Sequence, residues 1–346
     1  MISETFLGIK NTVKSFFNFL KLLPAHIKNL IANGRNELTS LRLKLNNISE
    51  SNLKLGVSHL ENGNYNDAIF RFKLVEKYFD PNNKEACYWL GMTYLLKNNY
   101  KDSIIYLQKA VDIDKINLLQ FVQSIDNTIK IPVEIYIQLR DVTSGKFLKK
   151  YIEKFIDNNN NIPKMLISEL NKNITSLPQN YNILDLGSNF GLLAYEIHKR
   201  MPDNFELTGI EVSPMTCKYE YKLYNKSLKS FHKSLGTIFP HEYLSHDAQK
   251  YDIICSLNGF STQLDLRDIL HTIYLKLNEG GYFAFSIDTA PENHFSKKSL
   301  EFSYNIDYLN NLLKETGFNV LSTIEFNVEK NNNCSIFVCM KQLKSE

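Results

Sequence analysis

Hydrophobic and polar positions alternate in two rhythms along this chain, and the rhythm changes near residue 180. Before that point apolar residues recur every three or four positions, the spacing that turns one side of an α-helix into a core. After it, short apolar runs stand at Tyr181 to Leu186, Phe205 to Val212, Tyr251 to Leu257 and Tyr282 to Ile287. Helical stretches separate and follow them at 190–200, 214–229, 264–277 and 305–316. Buried strands alternating with helices predict a largely parallel sheet covered on both faces. The helix at 264–277 is expected to stop at Gly280-Gly281, with the next strand starting at Tyr282, and the helix at 305–316 to end at Gly317. Phe318 to Val328 and Ser335 to Met340 read as a closing antiparallel pair.

In the helical half, residues 50–115 repeat themselves. One copy runs through Leu55, Gly56, Gly63, Tyr65, Ala68 and Phe72 to Pro81; the other runs through Leu90, Gly91, Tyr94, Tyr100, Leu107 and Ala110. Gly91 follows Gly56 by 35 positions. The pattern resembles the tetratricopeptide repeat, a helix pair with a period of about 34 residues. Asp80 to Asn83 is where the extra residue is expected. Gly56 and Gly91 would let the two helices of a pair approach. Ala68 and Ser103 would keep them close, and Phe72 and Leu107 would fill the space between repeats. His59 and Cys87 stand where the pattern carries large aromatics. Two copies are fewer than the roughly three that bury a continuous core, so 5–47 and the helices after 115 are expected to cap them. Residues 116–180 read as helices broken at Pro132 and between Asp157 and Pro163, with the Asn158 to Asn161 run as a loop. The main linker is expected between about 115 and 145. The division that follows is 1–48 amphipathic helices, 49–118 repeats, 119–175 a helical linker or lid, and 176–346 the α/β domain.

Composition adds limits. The chain has 346 residues, 43% hydrophobic and 22% charged, which suits about two globular domains. A net charge of +3 gives no concentrated basic face, so no nucleic-acid partner is expected. Five cysteines without a CxxC argue for reduced thiols in a cytoplasmic protein and against a zinc site, and no metal is expected. The histidines of His241-Glu242-Tyr243-Leu244-Ser245-His246 are too far apart for HExxH and would face different sides of a helix. No run of about 20 apolar residues predicts a membrane span. Residues 2–32 set Phe6, Ile9, Val13, Phe16, Phe17 and Leu20 among Lys10, Lys14, Lys21 and Lys28. Such a basic amphipathic helix either packs on its neighbours, the preferred reading, or lies on an anionic membrane surface.

The run with chemical content is Ile183-Leu184-Asp185-Leu186-Gly187-Ser188-Asn189-Phe190-Gly191-Leu192-Leu193. It places a carboxylate near the tip of a strand, then a glycine turn, then a helix. Glycine lets a ligand come close to the backbone, and the helix N-terminus presents N–H groups. Asp185 redirects this arrangement from a phosphate toward a cationic amine. Glu211, in Gly209-Ile210-Glu211-Val212-Ser213-Pro214, ends the next strand, where a carboxylate can accept both hydroxyls of a ribose. Ser213 and Pro214 then open a helix.

With these runs the chain resembles class I S-adenosylmethionine-dependent methyltransferases, and more narrowly bacterial methyltransferases that carry tetratricopeptide repeats at the N-terminus. The narrower likeness lies in Leu207 to Met215, Tyr251-Asp252-Ile253-Ile254, Gly280 to Thr289, and Tyr308 through Gly317-Phe318. Phe147-Leu148-Lys149-Lys150-Tyr151 resembles the helix that precedes such domains and covers the donor. The resemblance implies a Rossmann-like, seven-stranded α/β domain behind an all-α repeat module, with S-adenosylmethionine as cofactor. Asp185 and Gly187 would meet its methionine end, with Ser188 in the same turn. Glu211 would hold the ribose, Gly191 would allow close packing of the first helix, and Met215 would lie against the adenine.

The chain departs from that family at several points. Ser188, Asn189 and Phe190 replace a small residue, a glycine and a threonine, although Asn189 tolerates left-handed backbone angles. Ser234-Leu235-Gly236 lacks the acidic residue expected after the third strand. Leu257-Asn258 stands at another acidic position, and Glu301 and Tyr304 replace an arginine and a histidine. Asn258, Asp288 and His294 fall at or beyond strand ends, where an acceptor could touch them, yet none is assigned as a catalytic base. The expected function is methyl transfer to a small-molecule or protein acceptor, with the repeats recruiting a protein partner. The alternative is a non-catalytic interaction scaffold with a degenerate domain. A nicotinamide-dependent oxidoreductase would need glycines that Asn189 and Phe190 do not supply.

Overall fold

The computed structural model describes residues 35–152, 161–216, 231–235, 249–329 and 332–342. The N-terminal stretch 2–32, most of the helix expected at 214–229 and the His241 to His246 segment lie outside the described residues.

The first helix, α1 (Arg35–Glu61), is continuous across the boundary expected between 48 and 49. It pairs with α2 (Tyr65–Leu74), and α3 (Lys84–Leu96) pairs with α4 (Tyr100–Lys109). A Cβ on Gly56 would fall 2.4 Å from the Phe72 ring, and one on Gly91 would fall 2.5 Å from Leu107 Cγ. Phe72 and Leu107 therefore interlock with the glycines of their own pairs, and Phe72 also stacks on Trp89 of the next at 6.5 Å. Ser103 donates its hydroxyl to the Gly91 carbonyl at 2.8 Å, which binds the second pair at its closest point. Leu55, the first position of the repeat pattern, is exposed. The extra residue of the repeat is taken up in a π-helical turn, Val75–Phe79, where the Asp80 N–H reaches the Val75 carbonyl at 2.9 Å. It sits just before the expected Asp80 to Asn83 loop, because a π turn inserts one residue without ending the helix.

Next come α5 (Leu118–Gln123), α6 (Val133–Ile152) and α7 (Ile162–Asn173). Asn161 caps α7 by accepting the Lys164 N–H. The strands then begin: β1 (Tyr181–Leu186), α8 (Leu192–Arg200), β2 (Phe205–Glu211), β3 (Phe231–Leu235), β4 (Tyr251–Leu257), α9 (Arg267–Lys276) and β5 (Leu277–Thr289). A hairpin of β6 (His294–Ser296) and β7 (Glu301–Ser303) precedes α10 (Ile306–Thr316), β8 (Phe318–Glu329) and β9 (Asn332–Lys341). One seven-stranded sheet runs in the order β3-β2-β1-β4-β5-β9-β8. Its first five strands are parallel and β9 is antiparallel to both neighbours. This is the doubly wound α/β sheet that the sequence implied, with the chain direction of winding reversing between β1 and β4. The strand expected from Tyr282 starts earlier, at Leu277, and passes Gly280 at φ +74° with a register shift. The β6–β7 hairpin was not anticipated; three-residue strands leave too short a pattern to read.

Alternate residues feed two cores. Leu184, Leu186, Ile254, Phe283 and Phe285 join one with α9, α10, α6 and the repeats. Ile183, Ile253, Cys255, Tyr282 and Ala284 join the other with α7 and α8. The helical module and one sheet face therefore share a single apolar cluster. Helix α7, expected in the linker, packs into the sheet's second core and is structurally part of the α/β domain.

Candidate functional site

Open α/β sheets bind ligands beyond the C-terminal ends of their strands, where the winding reverses. Here that place is the crevice between β1 and β4, and the two strands are tied at its floor by Ser256 Oγ, which donates to the Leu186 carbonyl at 2.8 Å. Gly187 follows β1 with φ +68°. A Cβ there would stand 3.5 Å from Gly259 Cα across the crevice, so both walls are bare backbone. Asn189 takes φ +50° and ties its side-chain amide to the Gly187 carbonyl at 2.6 Å. The turn thus keeps its shape without a glycine at 189, as the left-handed tolerance of asparagine allows. Phe190 turns away from the crevice and is fully buried with α7 and α8.

Register places Asp185 beside Gly209, so Asp185 and Glu211 share one face of adjacent strands, two residues apart along the sheet. Glu211 is 4% exposed, and its two oxygens accept the Asn189 and Ser213 N–H groups, each at 2.9 Å. The carboxylate therefore clamps the turn after β1 to the turn after β2. Asp185 is fully buried beneath the turn, and burial followed by the Asp185 charge pushes the neighbouring Cys255 thiol well above its usual range.

Tyr136, Gly187, Asn189, Glu211, Gly259 and Thr262 line a cleft together with Val212. Of the residues singled out from sequence, Gly187 and Glu211 line it. Asp185, Ser188 and Gly191 lie under or behind the turn, Gly191 starting α8 at φ +74°. Met215 is half-buried outside the lining, with its N–H on Asp141 Oδ1 at 3.3 Å.

Sequence reading missed the roof. Helix α6 lays Tyr136 over the cleft and anchors beside it: Ser213 Oγ donates to Asp141 Oδ1 at 2.6 Å and also accepts the Thr216 N–H at 3.0 Å. Arg140 donates Nε to Tyr136 Oη at 2.9 Å and lies over its ring. Burial works against the Arg140 charge, but Tyr136, Glu301 and Glu211 outweigh it and hold the guanidinium above its ordinary value. Glu301, where the resemblance implies an arginine, contributes its charge to the surroundings of Arg140 on α6. Tyr304 is buried and donates to the Phe260 carbonyl at 2.7 Å and to that of Gln263. No short-range signal could have found the contacts of Asp141 with Ser213 and of Tyr304 with Phe260, which join segments far apart in the chain. The side chains of Phe147 to Tyr151, expected to cover the donor, lie outside the described residues.

A methyltransferase-domain family model matches residues 159–323, and a tetratricopeptide-repeat model matches 84–117. Residues 159–323 are a methyltransferase domain. The methyltransferase domain begins ahead of the boundary expected at 176, in keeping with the packing of α7 on the sheet. Its strand order is that of the Rossmann-like seven-stranded fold, and residues 84–117 are a tetratricopeptide repeat. Similar solved structures include an S-adenosylmethionine-dependent methyltransferase from Clostridium acetobutylicum, 14% identical, covering 58% of this chain and 100% of that one at TM-score 0.44. A phosphoethanolamine N-methyltransferase 2 of Haemonchus contortus in complex with S-adenosyl-L-methionine is 12% identical and covers 61% and 60% at TM-score 0.48. A SAM-dependent methyltransferase from Aquifex aeolicus is 16% identical and covers 57% and 97% at TM-score 0.41. At these scores the assignment rests on the family model and the strand order. No curated protein matches the chain. Among the described residues no helix is long and apolar enough to cross a membrane, and no group of three His, Cys, Asp or Glu could hold a metal ion.

Proposed function

We propose that the methyltransferase domain takes its methyl group from S-adenosylmethionine and passes it to a small-molecule or protein acceptor. The observation that carries this is a fixed, buried Glu211 carboxylate facing a Cβ-free wall at Gly187 across one cleft at the sheet's winding reversal. An ionised carboxylate has about four acceptor positions, and the two backbone N–H groups leave the rest for ribose hydroxyls. Gly187 gives the ligand close access to the backbone, and Ser188 and Gly191 shape the turn around it. Asp185 acts from beneath that turn, its charge compensating the donor's cationic amine. Met215 flanks the adenine side. When bound, the donor supplies an already activated methyl on a sulfonium. The protein's own part is to orient the acceptor and exclude water, and the α6 roof is suited to both.

No side chain is assigned as a base. Asn258 is engaged by the Asp288 N–H at 3.2 Å, and His294 is exposed on the hairpin. The repeats are proposed to recruit a protein partner through exposed apolar side chains such as Phe70, Tyr78, Ile105 and Val111. Among the described residues Cys87, Cys255, Cys334 and Cys339 are buried and form no disulfide, which suits work in the cytoplasm. Calorimetric titration with S-adenosylmethionine tests the reading: one site per chain is expected. Absence of heat at millimolar donor would overturn it in favour of the scaffold.

A further inference from the structure

Three buried hydroxyls among the described residues have no hydrogen-bond partner, those of Ser49, Ser188 and Thr262, and of these Thr262 alone lines the cleft. Leaving a buried hydroxyl unpaired is costly, so folded proteins rarely keep one without a use. Thr262 is 3% exposed, and the strand-end loop that carries it is held from two sides. The helical module grips it through the Ile131 N–H, which donates to the Thr262 carbonyl at 2.8 Å, and through the Leu264 N–H, which donates to the Ile129 carbonyl at 2.8 Å. The far side is tied by the Phe302 N–H on the Ser261 carbonyl at 2.8 Å and by Tyr304 on the Phe260 carbonyl. These bonds fix the backbone that carries Thr262, and its unpaired, buried hydroxyl belongs to a residue of the cleft wall.

We infer that the Thr262 hydroxyl is a donor-binding group, completed by a hydrogen bond to the S-adenosyl ligand, and that residues 129–131 of the helical module position it. The inference rests on reading the cleft as the donor site. It assigns the hydroxyl to the donor rather than the acceptor because Thr262 shares its cavity with Glu211 and Gly187, not with Asp288 or His294. It also gives the segment between repeats and sheet a role in the site itself, beyond tethering.

The test compares wild type, Thr262→Val and Thr262→Ser by calorimetric titration with S-adenosylhomocysteine and by thermal melting without ligand. A lost neutral hydrogen bond of about 1 kcal/mol corresponds to roughly a fivefold weaker Kd. The expected result is that loss for valine, recovery to within about twofold for serine, and a ligand-free valine variant that melts at or above wild type. Unchanged affinity in the valine variant would overturn the inference while leaving the donor reading intact. So would equal loss in both variants, which would point to the threonine methyl group. Failure of the wild type to bind would instead overturn the donor reading, and the inference with it.

Discussion

Replacing Glu211 with glutamine separates the two tasks that the structure gives this side chain. The carboxylate is 4% exposed and accepts two N–H groups at 2.9 Å, from Asn189 and Ser213. Hydrogen bonds to a charged acceptor contribute roughly 1.5–3 kcal/mol each. Glutamine keeps one acceptor oxygen but turns an NH2 group toward the other N–H. One charge-assisted bond is lost and a buried donor faces a donor. The combined effect is about 2–4 kcal/mol of stability, which at roughly 2–4 °C per kcal/mol is a fall in Tm of roughly 4–16 °C. Urea denaturation followed by circular dichroism measures the global change, and hydrogen exchange at the amides of 189 and 213 locates it. The proposed ribose contact predicts in addition at least tenfold weaker S-adenosylhomocysteine binding at a temperature where the variant is folded. A variant as stable as wild type, with both amides protected as before, would refute the clamp. A destabilised variant that binds at full strength would leave the clamp and remove the ribose contact.

Gly91→Ala should destabilise the helical module by about 1–3 kcal/mol through overpacking, less about 1 kcal/mol regained from helix propensity, and Leu107→Ala in the same chain should relieve the clash; paired urea titrations check this. Tyr181 is 2% exposed, donates to the Pro202 carbonyl at 2.9 Å, and burial raises its phenol to about 12. Because its folded value lies above the unfolded one of about 10, the neutral phenol's contribution is whole below pH 10 and is lost as pH rises toward 12. Wild type should therefore lose more stability than Tyr181→Phe between pH 9 and pH 11 (about the range of the titration), as read from alkaline melting curves. Ser213→Ala removes the hydroxyl that joins Asp141 to the helix start at Thr216, and should speed exchange in α6 around 136–141 without changing the repeats.

Much of the sheet was legible because fully buried strands such as Tyr251 to Leu257 carry apolar residues at most positions and Gly317 marks a helix end with a left-handed φ. The repeat glycines were legible for a related reason: only a residue without a Cβ lets Phe72 and Leu107 come so near. At the site, the sequence pointed to Gly187 and Glu211 because strand-end positions follow from spacing. It could not show that Asp185 would be sealed below the turn, since burial depends on what α8 and Phe190 cover. Nor could it show Tyr136 lining the cleft, with Arg140 and Asp141 holding the helix beside it, or Thr262 in its wall, since these placements depend on how the helical segment packs against the sheet. The early start of β5 was hidden by Gly280-Gly281, which reads locally as a stop although the pairing of Tyr251 with Leu277 carries the strand through.

Hydrogen exchange of the whole chain with and without S-adenosylhomocysteine tests the central claim most directly. Binding at the winding reversal predicts slower exchange in 187–191, 211–216, 259–264 and the roof at 133–141, with the repeats at 65–110 unchanged. Protection confined to the repeats or to the β8–β9 edge, or none at saturating ligand, would contradict it.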